Sequence, residues 1–269
     1  MASSLREHST PRKVFRIVYP VGIHFVITQL AALVIMGIYL LLGSRDSIAS
    51  TLLITGLASL IIIPLGVWLM RQDDWKRMYF GNIWKITVLD AGIAFGLGMC
   101  YGQIGNTVIG LLNLFDLFGG YNQMMGQVLT GENFFSMLLW IGIAAPAAEE
   151  LLFRGLIYRR LKDYVNPWAA MLISSLMFGI YHGNMIQFLY ATFMGIIFVL
   201  LLERTRSMWG CILAHMGANI WSVVLTCYGE TLSGIGNGFL VSFLVLLLVV
   251  GGIFGILYFK NRTPGRYSS

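Results

Sequence analysis

Two adjacent glutamates and an arginine interrupt an apolar part of the sequence. The stretch over residues 145–155 reads Ala-Pro-Ala-Ala-Glu-Glu-Leu-Leu-Phe-Arg-Gly. On a helix, Glu150 and Arg154 are four residues apart and can pair, whereas Glu149 projects about 100° away from Glu150. A simple ion pair would explain only one of the two carboxylates, while two carboxylates in unlike surroundings can divide a structural role and a base role. Pro146 removes a backbone donor just before the glutamates, which should open the helix and let water reach Glu149.

Two histidines and an asparagine follow later in the chain. His182 ends Phe178-Gly-Ile-Tyr-His, and His215 is four residues before Asn219, so that both lie on one face of a helix. Taken alone, these side chains could be interfacial or could join neighbouring helices by hydrogen bonds. Together with the glutamates they supply what peptide hydrolysis needs: a base to activate water, donors for the oxyanion and a proton for the leaving amine. The combination predicts a peptidase site.

Two further ionisable residues lie in apolar runs, where such groups are costly and usually have a partner. His24 has no partner in its local sequence, and we expect it to pack or to hydrogen-bond in a cavity wall. Asp90 follows a basic connection, and we expect it to pair with Lys85. Neither residue is assigned to the candidate site.

The elements that must position these residues are membrane helices. Of the 269 residues, 57% are hydrophobic and 11% are charged, far from the composition of a soluble domain. A span needs about 20 mostly apolar residues. The sequence therefore predicts an all-α, polytopic membrane protein, a bundle of about eight transmembrane helices. The spans are predicted at about 17–43, 50–70, 86–112, 134–158, 167–182, 185–202, 207–228 and 238–259.

The basic residues indicate the orientation. With eight spans, every Lys and Arg except Arg45 falls on the side that holds both termini. The positive-inside rule then predicts that both termini are cytoplasmic, and basic connections of this kind are expected in a bacterial plasma membrane. Because these charges lie between apolar runs and not on a soluble face, we expect no binding to nucleic acid. Gly-x-x-x-Gly pairs at 92/96, 98/102 and 251/255 predict close helix packing, with a dimer contact as the alternative.

Three motifs occur in order on consecutive predicted segments: Glu149-Glu150-x-x-x-Arg154, Phe178-x-x-x-His182 and His215-x-x-x-Asn219. In this order, over roughly residues 130–225, the sequence resembles the CPBP intramembrane protease family, also called the Abi or CAAX-protease-and-bacteriocin-processing family. That family includes eukaryotic prenyl-protein proteases, which trim three residues after a prenylated cysteine. Its bacterial members are linked to bacteriocin maturation, immunity or peptide signalling.

The resemblance implies a role for each matching residue. Glu149 would activate water together with His182. His215 and Asn219 would hold the oxyanion, and Glu150 and Arg154 would be the supporting pair. The substrate would be a hydrophobic, prenylated or otherwise membrane-tethered peptide, reached among membrane lipids.

The chain divides accordingly into four predicted parts. A cytoplasmic tail covers 1–16, and N-terminal transmembrane helices cover 17–128. A catalytic core resembling the CPBP family covers 129–226. The last transmembrane helix and a cytoplasmic tail cover 227–269.

Three alternatives stay open. A metal such as zinc could be held by Glu149, His182 and His215 with one position left for water, but the chain lacks the His-x-x-x-His pair of common zinc peptidases, and we favour hydrolysis without a metal cofactor. A non-catalytic scaffold or bacteriocin-immunity protein could use the same fold. A proton- or cation-coupled transporter could use the same buried charges, although no internal repeat supports it.

Overall fold

The protein is built from helices. The computed structural model describes residues 9–42, 51–78, 81–118, 120–129, 131–234, 244–245 and 247–261, and the regular elements of these residues are all helical. We number the helices α1 (Thr10–Leu41), α2 (Thr51–Arg77), α3 (Val88–Leu111), α4 (Leu114–Leu117), α5 (Tyr121–Leu129), α6 (Phe134–Leu161), α7 (Pro167–Tyr181), α8 (Met185–Thr205), α9 (Met208–Gly234) and α10 (Gly252–Asn261).

The predicted class, a polytopic all-α membrane protein, is confirmed. Among the described residues, five helices are long and apolar enough to cross a membrane: α1, α2, α6, α8 and α9. The other three predicted spans also coincide with helices. Of these, α7 has 15 residues and α3 has 24 residues, and the last predicted span is described only at residues 244–245 and 247–261. A count of eight crossings therefore stays a prediction.

Helix boundaries differ from the predicted ones in several places. Helix α2 continues to Arg77, although its span was expected to end at about residue 70. Helix α1 begins at Thr10, inside the stretch predicted as a tail. Helix α9 continues to Gly234, although we expected a connection from Tyr228. Glu230 and its polar neighbours lower the hydropathy, but residues of this kind do not break a helix. The predicted connection 113–133 contains the short helices α4 and α5. Some predictions lie outside the described residues: the turn at Arg45, the span residues 238–243, and Arg6, Arg262 and Arg266 in the tails.

The chain forms two compact units. The first unit comprises Met1–Gly81 and Gly120–Ser174, and the second comprises Asn82–Gly119 and Ser175–Ser269. The glutamate motif belongs to the first unit, and both histidine motifs belong to the second.

Within the first unit, small residues bring α2 close to α6. A Cβ atom on Gly66 would lie 3.1 Å from the Leu151 Cβ atom, and one on Gly56 would overlap the Trp140 ring. Without side chains at these two positions, α2 can lie directly against the helix that carries the glutamates.

Ion pairs join the ends of α1, α2 and α6 in the same unit. Arg160 donates to Asp73 at 2.6 Å, and both side chains are almost fully buried. Arg16 and Arg77 both donate to Asp163, at 2.8 and 2.9 Å. These arginines, which the sequence analysis used only to predict the orientation in the membrane, thus also hold three helices together.

Within the second unit, α3 and α9 meet backbone to backbone. A Cβ atom on Gly98 would overlap the carbonyl oxygen of Ala214, and one on Gly217 would overlap the carbonyl oxygen of Phe95. A Cβ atom on Gly255 would overlap the side chain of Leu97 on α3. The pairs Gly98/Gly102 and Gly251/Gly255 therefore serve packing inside the unit, as predicted. The same prediction is wrong for Gly92/Gly96, because no atom of the described residues lies within 4 Å of either Cβ position.

Asp90 joins α10 to the start of α3. It is fully buried and accepts hydrogen bonds from the hydroxyls of Thr87 (2.6 Å) and Tyr258 (2.7 Å). We expected Lys85 as the partner, and the structure instead shows these two hydroxyls. The hydroxyl of Thr87 also accepts from the Asp90 backbone N–H and so caps the helix.

Candidate active site

The two glutamates occupy a short α-helical segment between two π-helical segments. The π-helical stretches are Leu138–Ala144 and Leu151–Tyr158, and Ala145–Glu150 lies between them. Pro146 is the second residue after the first wide segment, close to the predicted opening of the helix. π-Helical turns are rare and occur frequently at functional sites, so the backbone itself marks this part of α6.

Glu150 and Arg154 form the predicted ion pair. The Arg154 Nη1 atom donates to the Glu150 Oε1 atom at 2.8 Å, and both side chains are fully buried. The carboxylate and the guanidinium thus offset each other's charge inside the unit, where an isolated charge would be very costly. This arrangement fits a structural role for Glu150.

Glu149 points elsewhere and is only half-buried. Its charge acts on the imidazole of His24, which belongs to α1 of the same unit and is 8% exposed. The two glutamates therefore lie in unlike surroundings, as the sequence predicts. His24 is outside the three motifs, and its electrostatic link to Glu149 connects it with the predicted base.

His182 directly follows the last residue of α7, and its orientation is set by the end of that helix. The His182 Nδ1 atom lies 2.8 Å from the backbone oxygen of Phe178, a carbonyl of the last turn. Because a carbonyl only accepts, the neutral ring carries its proton on Nδ1 and leaves the Nε2 lone pair available. Gly183, with a φ of +72°, ends the helix in a conformation that favours glycine.

His215 lies within aromatic rings contributed by α7 and α8. The Phe198 ring stacks on the imidazole at 4.7 Å, and the Phe178 ring meets it edge-on at 5.7 Å. Phe178 also lies edge-on to His182 at 4.9 Å, so one phenyl ring touches both histidines. Asn219 follows one turn after His215 on α9, on the same face.

The structure thus brings together Glu150 with Arg154 in the first unit, and His182 with His215 in the second. Across the part of the chain that the structure describes, no group of three or more His, Cys, Asp or Glu side chains is arranged to hold a metal ion. A largely apolar cavity of about 250 Å³ lies along α3, α9 and α10. The α9 residue that lines it is Trp221, which lies about 120° round the helix from His215, and we do not assign the cavity to the site.

A comparison with protein-family models matches the region that contains these residues. Residues 131–221 match the family model described as type II CAAX prenyl endopeptidase, Rce1-like. This part of the chain is therefore similar to CAAX prenyl endopeptidases. All six candidate residues fall within the match, and the resemblance drawn from the three motifs is confirmed.

A similar protein of known sequence is also named as a peptidase. Over 118 residues the chain is 33% identical to a protein of Bacillus subtilis (strain 168) named "Putative membrane peptidase YdiL". The alignment covers 44% of this chain and 46% of the relative, so the chain spans about half the length of the relative. No solved structure shows a significant match to the chain.

Proposed function

We propose that this protein is an intramembrane endopeptidase that hydrolyses a peptide bond in a lipidated, hydrophobic or membrane-tethered peptide. The match of residues 131–221 to a family of CAAX prenyl endopeptidases, with all six candidate residues inside it, carries the proposal. The multi-pass membrane fold supports the substrate class, because a substrate tethered in the bilayer reaches such a protein by lateral diffusion.

In the proposed mechanism, Glu149 and His182 activate the attacking water. The Glu149 carboxylate takes a proton from the water as its oxygen attacks the carbonyl carbon of the substrate. His182 orients the same water through Nε2, the ring atom that its bond to the Phe178 carbonyl leaves available. Glu150 cannot take this part, because its carboxylate is buried against Arg154.

His215 and Asn219 stabilise the tetrahedral intermediate in this proposal. The imidazole N–H of His215 and the side-chain amide of Asn219 donate to the oxygen that becomes negatively charged. When the intermediate collapses, the proton held by Glu149 passes to the leaving amine and the C–N bond breaks. The stacked Phe198 ring keeps the imidazole of His215 from rotating during this cycle.

The test is cleavage of quenched fluorescent peptides, prenylated and unmodified, by the purified protein in detergent or liposomes. Glu149→Gln should abolish turnover and leave the fold intact. The matched control is Glu203→Gln, the same exchange at an exposed glutamate of α8, which should keep full turnover. Turnover retained by Glu149→Gln would contradict the assignment of the base.

A chelator arm addresses the metal alternative. If turnover is unchanged by a strong chelator, a glutamate-type peptidase is supported. If turnover is lost and returns on addition of zinc, Glu149, His182 and His215 become the proposed ligands, with Glu149 no longer a simple base. Failure of the wild-type protein to cleave any peptide of the panel would count against the proposed substrate class.

A further inference from the structure

His24 occupies an unusual position for an ionisable residue. The buried residues of α1 are Pro20, His24 and Ile35 among its 32 positions, so that most of this helix faces outward. Burying an imidazole in a membrane helix is costly unless it has a polar partner. The oppositely charged group that acts on this imidazole is Glu149.

The register of α1 against α6 is fixed at one end by Arg160. Its Nη1 atom donates to the backbone oxygen of Arg16 at 2.6 Å, and its Nη2 atom donates to the Tyr19 hydroxyl at 2.8 Å. The Arg16 carbonyl is available because residue 20 is a proline and has no N–H to donate back to it. A side chain of α6 therefore replaces a missing hydrogen bond of α1.

His24 and Glu149 fall at nearly the same height above this contact. At 1.5 Å per residue, His24 lies about 12 Å along α1 from Arg16, and Glu149 lies about 16 Å along α6 from Arg160. The wider turns of the π-helical segment shorten the second distance. The two residues agree in height to within one helical turn, so the antiparallel register set by Arg160 brings His24 level with Glu149.

We propose that His24 is a positioning residue for Glu149. An imidazole N–H of His24 donates to one oxygen of the Glu149 carboxylate and holds the other oxygen towards the attacking water. The bond is charge-assisted and occupies one acceptor position of the carboxylate. The remaining positions leave its base function intact. This role rests on the proposed function of Glu149. It adds a residue from the first helix, outside the region that matches the family model.

Kinetics test the positioning role. His24→Phe keeps a ring but removes the donor, and kcat should fall on the order of 10²-fold while KM stays within about twofold. His24→Gln restores an N–H donor and should recover most of kcat. The control is Ile35→Ala, another buried position of α1, which should lower the melting temperature without changing kcat. An unchanged kcat in His24→Phe would overturn the proposal.

A double-mutant cycle tests the pair without relying on activity. The melting temperatures of His24→Phe, Glu149→Gln and the double variant are compared with the wild type in the same detergent. If the two side chains interact, the second substitution should cost less after the first; simple additivity would overturn the proposal. Should His24→Phe fail to fold, His24→Leu serves in the same cycle. If the wild type cleaves no peptide, the proposed function fails while the cycle still decides the pairing.

Discussion

The backbone oxygen of Phe178 lies 2.8 Å from the Nδ1 atom of His182, one helical turn later in the chain. This single contact satisfies a carbonyl at the end of α7 and at the same time sets which ring nitrogen of His182 is available for chemistry. A structural role and a chemical role therefore belong to different nitrogens of one side chain. They can be separated by substitution.

His182→Asn should separate them. The asparagine Nδ2 atom occupies the place of the histidine Nδ1 atom and can keep the bond to the Phe178 carbonyl, but nothing replaces Nε2. We expect a melting temperature close to that of the wild type and a loss of turnover of about 10²-fold or more. His182→Ala should lose turnover too and, in addition, about 1 kcal/mol of stability. Substantial turnover in His182→Asn would show that Nε2 is not required.

Glu150→Gln should behave differently from Glu149→Gln. Removing the charge of Glu150 leaves the fully buried guanidinium of Arg154 without its carboxylate, which should cost about 3–5 kcal/mol of unfolding free energy. Glu149 is half-buried, and its exchange should change stability much less. Chemical denaturation of the two variants in one detergent measures the difference. Equal stability of the two would contradict the division into a structural and a base carboxylate.

Asn219→Ala should reduce turnover without destabilising the protein strongly. Loss of one oxyanion donor costs about 10²–10³-fold in kcat, and the ground-state carbonyl makes little use of that donor, so KM should change little. Steady-state kinetics on the best peptide of the panel measures both. A rise in KM with kcat unchanged would mean that Asn219 binds substrate and does not stabilise the transition state.

Local spacing accounts for the features that were predicted correctly. Glu150 and Arg154, like Phe178 and His182, are four residues apart, so the helix alone brings each pair together. Hydropathy likewise places the apolar runs, because a span depends on composition over many residues. It places helix ends less well, as the continuation of α9 to Gly234 shows.

Contacts between distant helices were not predictable in the same way. The hydroxyl of Tyr258 donates to Asp90, and Glu149 acts on His24, yet no periodicity in one helix indicates which other helix will pack against it. The only local signal for His24 was the placement of Pro20 one turn before it. Pro20 leaves the backbone oxygen of Arg16 without its helical donor, but the sequence does not show that Arg160 binds this oxygen.

The contact of α3 with α9 should be sensitive to a single methyl group, and Gly98→Ala tests it. A Cβ atom there would overlap the carbonyl oxygen of Ala214, a backbone atom that cannot rotate away. We expect the free energy of unfolding to fall by about 1–3 kcal/mol, and turnover to fall as well, because His215 follows Ala214 directly.

Gly92→Ala on the same helix is the control, since nothing lies within 4 Å of its Cβ position. That exchange should leave stability unchanged or raise it by up to about 1 kcal/mol, through helix propensity. Equal melting temperatures for the two alanine variants would contradict the close backbone contact, and full turnover in Gly98→Ala would show that the position of His215 does not depend on it.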